Sequence, residues 1–141
     1  MFRTAEDALN FIAEHGIETV DLKVVDLPGR WHHVTMPAAT FSKSVFEEGV
    51  GVDASSLSNF KGVECGDMVV IPDPSTAMID PFWKAPTLSM ICDLFEADTR
   101  LSFSKDPRTI AKKAEKFISG QSYAIRALFS PEYEFHIFDS I

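Results

Sequence analysis

Cysteine is scarce in this chain: Cys65 and Cys92 are the only two among 141 residues. Their separation fits neither a zinc-ligand nor a redox pair, so reduced thiols in a cytoplasmic protein are the expectation. Long apolar runs are missing too. None approaches the roughly 18 residues that a membrane-spanning helix needs. The opening MFRTAEDALN has no apolar stretch of the kind that directs secretion. Basic residues are outnumbered, 13 against 21, for a net charge of −8. Binding a phosphate backbone needs clustered Lys and Arg, so nucleic acid is not expected as a partner; with no apolar run of spanning length, no membrane is expected either. No glycine-rich phosphate loop, internal repeat or low-complexity tract occurs.

What is present suits a folded domain. Hydrophobic residues make up 45% of the chain, enough for a buried core. The length fits one compact domain of about 100–150 residues with an additional element. Thr4 and Asp7 resemble a capping box. Ala5, Ala8, Leu9 and Ile12 recur at helical spacing, and Gly16 closes a predicted helix over 5–14. IETVDLKVVDL (17–27) alternates, with Val20, Leu22 and Val24 on one face. With the turn PGR (28–30) and WHHVTMPA (31–38) it makes a predicted hairpin. His32 and His33 then point to opposite faces and do not share one metal. TFSKSVFEEG (40–49) reads as a short helix stopped by Gly49.

Residues 50–67 read as a long Gly-, Ser- and Asp-rich loop, of the type that is usually functional or mobile. MVVIPD (68–73) and TLSMICDLFE (87–96) read as strands, joined by the proline-bearing connection 74–83. Residues 1–100 are therefore an α+β domain. After a break at 97–105, Asp106 is placed to cap a helix bearing Ile110, Ala114, Phe117 and Ile118 on one stripe, with Gly120 as its stop. Residues 122–139 read as a strand, or a strand pair bent at Pro131. Residues 101–141 thus look like the first unit of a second domain.

That last strand carries SPEYEFH (130–136). Alternate side chains of a strand share a face, so Glu132, Glu134 and His136 would project together, with about 6.6–7 Å between successive members. Tyr133, Phe135 and Ile137 would face a core. Two readings are open. The glutamates are solvated on an exposed face, or their repulsion is relieved by a divalent ion such as Mg²⁺ or Mn²⁺, which takes carboxylate oxygens.

SPEYEFHIFD resembles the G-P-E-x-E-F-x-x-F-D strand of class I glutamine synthetases. VGVDASSLSNFKG resembles their F-D-G-S-S-x-x-x-x-K-G signature, and DMVVIPDPSTAMIDPFW resembles their D-M-V-L-x-P-D-x-S-T-A-x-I-D-P-F block. DLPGRWHHVTMPAATF and KDPRTIAKKAE are similar to the early hairpin and the first catalytic-domain helix. The similarity runs through nearly the whole chain in the family's order. It implies a β-grasp amino-terminal domain over 1–100, followed over 101–141 by the opening helix–strand unit of an incomplete catalytic domain.

The implied chemistry is ATP-dependent. Glutamate's side-chain carboxylate takes the γ-phosphoryl group, ammonia attacks, and phosphate leaves. Two divalent ions, Mg²⁺ or Mn²⁺, suit such a reaction. By the motif match Glu132 would take the nucleotide-side ion and Glu134 the glutamate-side ion. His136 falls where the family has an aromatic residue and is read as a packing or hydrogen-bonding side chain. Asp53 matches the aspartate that reaches a neighbouring subunit's active site, binds ammonium and helps remove its proton. Ser56 matches the serine beside it, and Asp67 the acidic residue of the following D-M. The family's rings, usually double hexamers, imply a homo-oligomer.

Three departures from the family pattern stand out. Ala54 replaces the signature glycine, a cost on the order of 1 kcal/mol if the backbone there needs a positive φ. VECGD stands for the usual N-E-S-D, and Ser130 for Gly or Ala. The family's remaining metal ligands, its glutamate-binding arginine and its nucleotide pocket have no match here, so the chain alone is expected to be catalytically inert. Two other classes remain open: a β-grasp interaction module that docks on full-length subunits, and a fragment of a γ-glutamyl–amine ligase. An aspartate at position 53 favours ammonia over a larger amine.

Overall fold

A computed structural model of the protein describes residues 2–53, 66–123 and 126–140. The chain divides into two compact units, Met1–Ile110 and Ala111–Ile141.

Helix α1 spans Ala5–Glu14. Thr4 Oγ1 accepts from the Asp7 amide at 3.1 Å while Asp7 accepts from the Thr4 amide at 2.9 Å, a capping box with a shorter acid than usual. The amides of Arg3 and Thr4 hold the Asp7 carboxyl below its ordinary range. Ala8 is the helix's fully buried residue, and Leu9, Phe11 and Ile12 pack against the core beside it.

The hairpin follows as expected: β1 over Thr19–Val25 and β2 over Trp31–Pro37, antiparallel, with Val25 opposite Trp31. Asp26 closes its turn. This fully buried carboxylate accepts from the Arg30 amide at 2.8 Å and from His32 Nε2 at 2.9 Å. Burial pushes the Asp26 carboxyl up, but the hydrogen bonds from His32 and Arg30 outweigh it and leave the group below the ordinary range. His33 bonds instead to Asp21, so the adjacent histidines serve different carboxylates, as their opposite faces require.

Helix α2 is shorter than expected. Ala38–Thr40 form a 3₁₀ turn, and the α-helix runs over Lys43–Glu48. A larger correction concerns 50–67. Val50–Asp53 are not loop but strand β3, paired antiparallel with β4 over Asp67–Pro72. The pattern V-G-V places Val50 and Val52 against the core, and that alternation outweighs the glycine. The connection 74–83 also has structure of its own: a 3₁₀ turn at Pro74–Thr76 and a two-residue strand, β5, at Met78–Ile79.

Strand β6, Thr87–Glu96, is the centre of the sheet, whose order is β2-β1-β6-β4-β3. Its first half runs parallel to β1, with Thr19 opposite Thr87, and pairs on the other edge with β5. Its second half runs antiparallel to β4. A helix on a mixed sheet whose first and last long strands lie parallel side by side is the β-grasp arrangement. Leu88, Met90, Cys92 and Leu94 of β6 join Val20, Leu22, Met68 and Val70 in the core beneath Ala8, Phe41 and Val45. Each large apolar side chain buried there contributes about 1.5–3 kcal/mol. Burial also drives the Cys92 thiol far up its titration range, which leaves it an inert packing group.

Helix α3, Pro107–Ser119, starts where Asp106 predicts. The buried Asp106 carboxylate accepts from the Arg108 amide at 3.1 Å, the Thr109 amide at 3.2 Å and the Thr109 hydroxyl at 3.0 Å. Arg108 ties this first turn to the sheet, donating through Nε to Asp93 at 2.8 Å and through a terminal nitrogen to Asp73 at 2.5 Å. Desolvation works against the Arg108 charge, but the two carboxylates more than restore it.

The expected strand over 122–139 is not found. Described residues 126–140 carry no strand pairing. Tyr133, Phe135 and Ile137, expected to face a core, are exposed. A strand is defined by its ladder, and among the described residues this segment pairs with no strand.

Candidate functional site

Asp53 ends β3, and its position follows from the corner before it. Helix α2 stops at Gly49, whose φ is +77°. A Cβ at this glycine would lie 2.3 Å from Val69 Cγ1 and 2.6 Å from the Val70 carbonyl oxygen. Only glycine lets the chain turn so close to β4. Arg100 holds the same corner from across the sheet, its guanidinium donating to the Glu48 carbonyl at 2.6 Å, where a cation also complements the helix carboxyl end. From that corner, Val50 pairs with Val70, Val52 with Met68 and Asp53 with Asp67.

The register sets the two aspartates side by side. Val50 and Val52 turn inward, so Gly51 and Asp53 take the outer face, and Asp53 and Asp67 are both exposed. Directly opposed residues of an antiparallel pair have Cβ atoms about 4.5–5.5 Å apart, and like charges there repel. A cation placed between or beside them lowers that repulsion. This acidic rung, invisible to a reading that took 50–67 as one loop, is the arrangement the pairing adds. Its signal was the V-G-V-D alternation facing D-M-V-V. Ser56 and Ala54 lie outside the described residues.

Glu132, Glu134 and His136 belong to the second unit, where all three are exposed. His136 lies near Phe138, ring centroids 6.0 Å apart. Among the described residues, no group of three or more His, Cys, Asp and Glu is placed to hold a metal ion. The two glutamates offer hard oxygen donors of the type Mg²⁺ and Mn²⁺ prefer, so the donor chemistry fits. Two carboxylates are far fewer than the six oxygens of an octahedral shell, which such ions complete with water, substrate or further side chains.

An α+β domain with a β-grasp sheet, an acidic rung at one edge strand and a glutamate pair further along is a definite class of protein. Residues 16–97 match the family described as glutamine synthetase, beta-Grasp domain, and the chain belongs to that family. It is similar to the glutamine synthetase of Frankia alni, 43% identical over all of this chain and 30% of that one. It is likewise similar to that of Escherichia coli, 44% identical over 98% of this chain and 29% of that one. The chain therefore spans about 30% of the length of the curated relatives it matches. Among solved structures, a Plasmodium falciparum glutamine synthetase superposes with a TM-score of 0.75 at 23% identity, over 84% of this chain and 23% of that one. A ligand-free GmaS does so with a TM-score of 0.71 at 24% identity, over 79% of this chain and 26% of that one. At those identities the two structures report the fold, which is the expected β-grasp.

Proposed function

We propose that this chain is the amino-terminal portion of a glutamine synthetase, an ATP-dependent ligase that joins ammonia to glutamate through a γ-glutamyl phosphate. The observation that supports this most is identity of 42–44% to glutamine synthetases from several bacteria over 95–100% of the chain. In this reading Asp53 attracts ammonium at a subunit boundary and accepts a proton as the amine becomes nucleophilic. Its cross-strand neighbour Asp67 deepens the negative potential that draws the cation in, and Ser56 offers a hydroxyl beside it. Glu132 and Glu134 would each hold one divalent ion, Mg²⁺ or Mn²⁺. Such ions supply charge neutralisation for nucleotide and glutamate. The parent would be a cytoplasmic homo-oligomer, a double ring in the family pattern, with ATP, glutamate and ammonium as its substrates.

With only one glutamate for each ion, the 141-residue chain is too poorly liganded to work alone. Incubated with ATP, Mg²⁺, glutamate and ammonia, it should release no phosphate above background, and clear turnover would overturn that part of the proposal. In a polypeptide extended to the relatives' length, Asp53→Ala should lower turnover by about 10²-fold or more while raising the KM for ammonium. Unchanged ammonium kinetics would remove Asp53 from the assignment.

A further inference from the structure

The face of the sheet away from α1 and α2 carries a second constellation, built from none of the residues matched to ligase chemistry. Asp21 lies in the middle of β1 and is fully buried. Its Oδ1 accepts twice, from the Thr35 hydroxyl at 2.6 Å and from His33 Nδ1 at 2.7 Å. Its Oδ2 is buried with no hydrogen-bond partner. A buried carboxylate oxygen left unpaired is costly, and native proteins seldom leave one so.

Lys23, two residues along β1 on the same face, does not satisfy it. Its ammonium sits 3.7 Å from Asp21 Oδ2, beyond hydrogen-bond reach, because its short bond goes to Asp80 Oδ2 at 2.6 Å. Asp80 is held further by the Phe82 amide and the Ser89 hydroxyl. One ammonium thus faces two carboxylates. His33 Nδ1 bonds to the other oxygen of the same Asp21 carboxylate and leaves Oδ2 unserved.

Asp21 lines a cavity of about 220 Å³ with Lys23, Trp31, His32, His33 and Trp83. Trp31 and Trp83 are the chain's only tryptophans. Both are about half exposed, and the Trp83 ring lies 6.0 Å from that of His33. Indole faces attract cations, and more strongly at desolvated sites. A buried carboxylate oxygen without a hydrogen-bond partner and two half-exposed indoles lining one cavity are complementary to one kind of ligand. The volume lies below the range for drug-sized molecules, so that ligand is small.

We propose that this cavity binds a small organic cation bearing N–H donors, an alkylammonium or alkylguanidinium, which donates to Asp21 Oδ2 and rests against Trp31 and Trp83. Because both tryptophans line the cavity, intrinsic fluorescence reports occupancy directly. The full 141-residue chain is titrated with methylguanidinium chloride at constant ionic strength, sodium chloride making up the difference. Emission should change saturably with a dissociation constant on the order of 1 mM or below. Tetramethylammonium alone, which can rest on the indoles but has no N–H to donate, should bind at least about tenfold more weakly. Asp21→Asn should weaken binding about tenfold or more. Trp83→Leu, at a half-exposed position, should also weaken it and serves if the buried substitution does not fold. Amide chemical shifts should move at Asp21, His33 and Trp83. Absence of saturation, an equal response to tetramethylammonium, unchanged affinity in folded Trp83→Leu, or shifts confined elsewhere would each overturn the proposal.

Discussion

Gly49 is the residue on which the acidic rung most depends. Its φ of +77° is open to glycine at little cost, and a methyl group there would meet Val69 and the Val70 carbonyl inside van der Waals distance. Gly49→Ala should lower stability by about 2–4 kcal/mol, the sum of backbone strain and overpacking, read from the urea midpoint at an unchanged m-value. The hairpin and α3 depend on single carboxylates in the same way. Asp106→Ala removes three acceptor contacts from the first turn of α3 and should cost about 1–2 kcal/mol in the same assay.

The aspartates also set the acid limit. The Lys23 ammonium and the Phe82 amide hold the Asp80 carboxyl below its ordinary value. At Asp73, burial opposes the bonds from Ser75 and Arg108, but the bonds prevail. A carboxyl depressed in the folded state contributes stability that is complete above the unfolded value, about 3.9, and is lost as pH falls through the folded value. The urea midpoint should therefore hold between pH 7 and 5 and fall steeply below about pH 4. Asp80→Asn should flatten part of that fall; an unchanged slope would show that Asp80 does not contribute to it.

Among the elements, β6 carries the most structure, since strands pair with both of its edges and its side chains fill the core. Leu94→Ala, at a position with no exposure, should cost about 2–5 kcal/mol, the range for leucine truncation in a packed core. Amide exchange should rank the elements accordingly: slowest in β6 and β1, fastest across 126–140, where no ladder protects the backbone. Protection of 126–140 comparable to β6 would contradict the unpaired state of that segment.

The elements also show where sequence patterns carry information. The capping box, the hairpin turn and the Asp106 cap each depend on residues within a few positions of one another, and α1, β1, β2 and α3 stand where those signals place them. Strand β3 is not legible locally because G and D depress strand propensity, while the pairing that stabilises it comes from β4, fourteen or more residues away. The reverse error occurred at 122–139. Alternating Glu, Tyr, Glu and Phe satisfy the strand pattern, but among the described residues no partner strand completes the ladder.

At the level of the molecule, the first unit holds the β-grasp sheet and its core, and the second holds most of α3 and the described segment 126–140, which carries exposed aromatics and no strand pairing. The proposed ligase role places chemistry in both. In a polypeptide of the relatives' length, Glu132→Ala and Glu134→Ala should each weaken Mn²⁺ binding, measured by calorimetry, and turnover should fall with it. Metal affinity unchanged in both would remove the pair from the proposed site.

Local order in this protein is readable from the amino acids alone: helix starts and stops, the hairpin and the family to which linked motifs assign the chain. These depend on neighbours close along the backbone, or on whole motifs surviving intact. Only the folded arrangement decided which residues meet across it. It set Asp53 beside Asp67, gave His32 and His33 separate carboxylates, and left Asp21 Oδ2 buried without a hydrogen-bond partner in a cavity that two indoles also line. Strand register and burial are fixed by contacts between distant segments, and no short window of sequence contains both sides of such a contact.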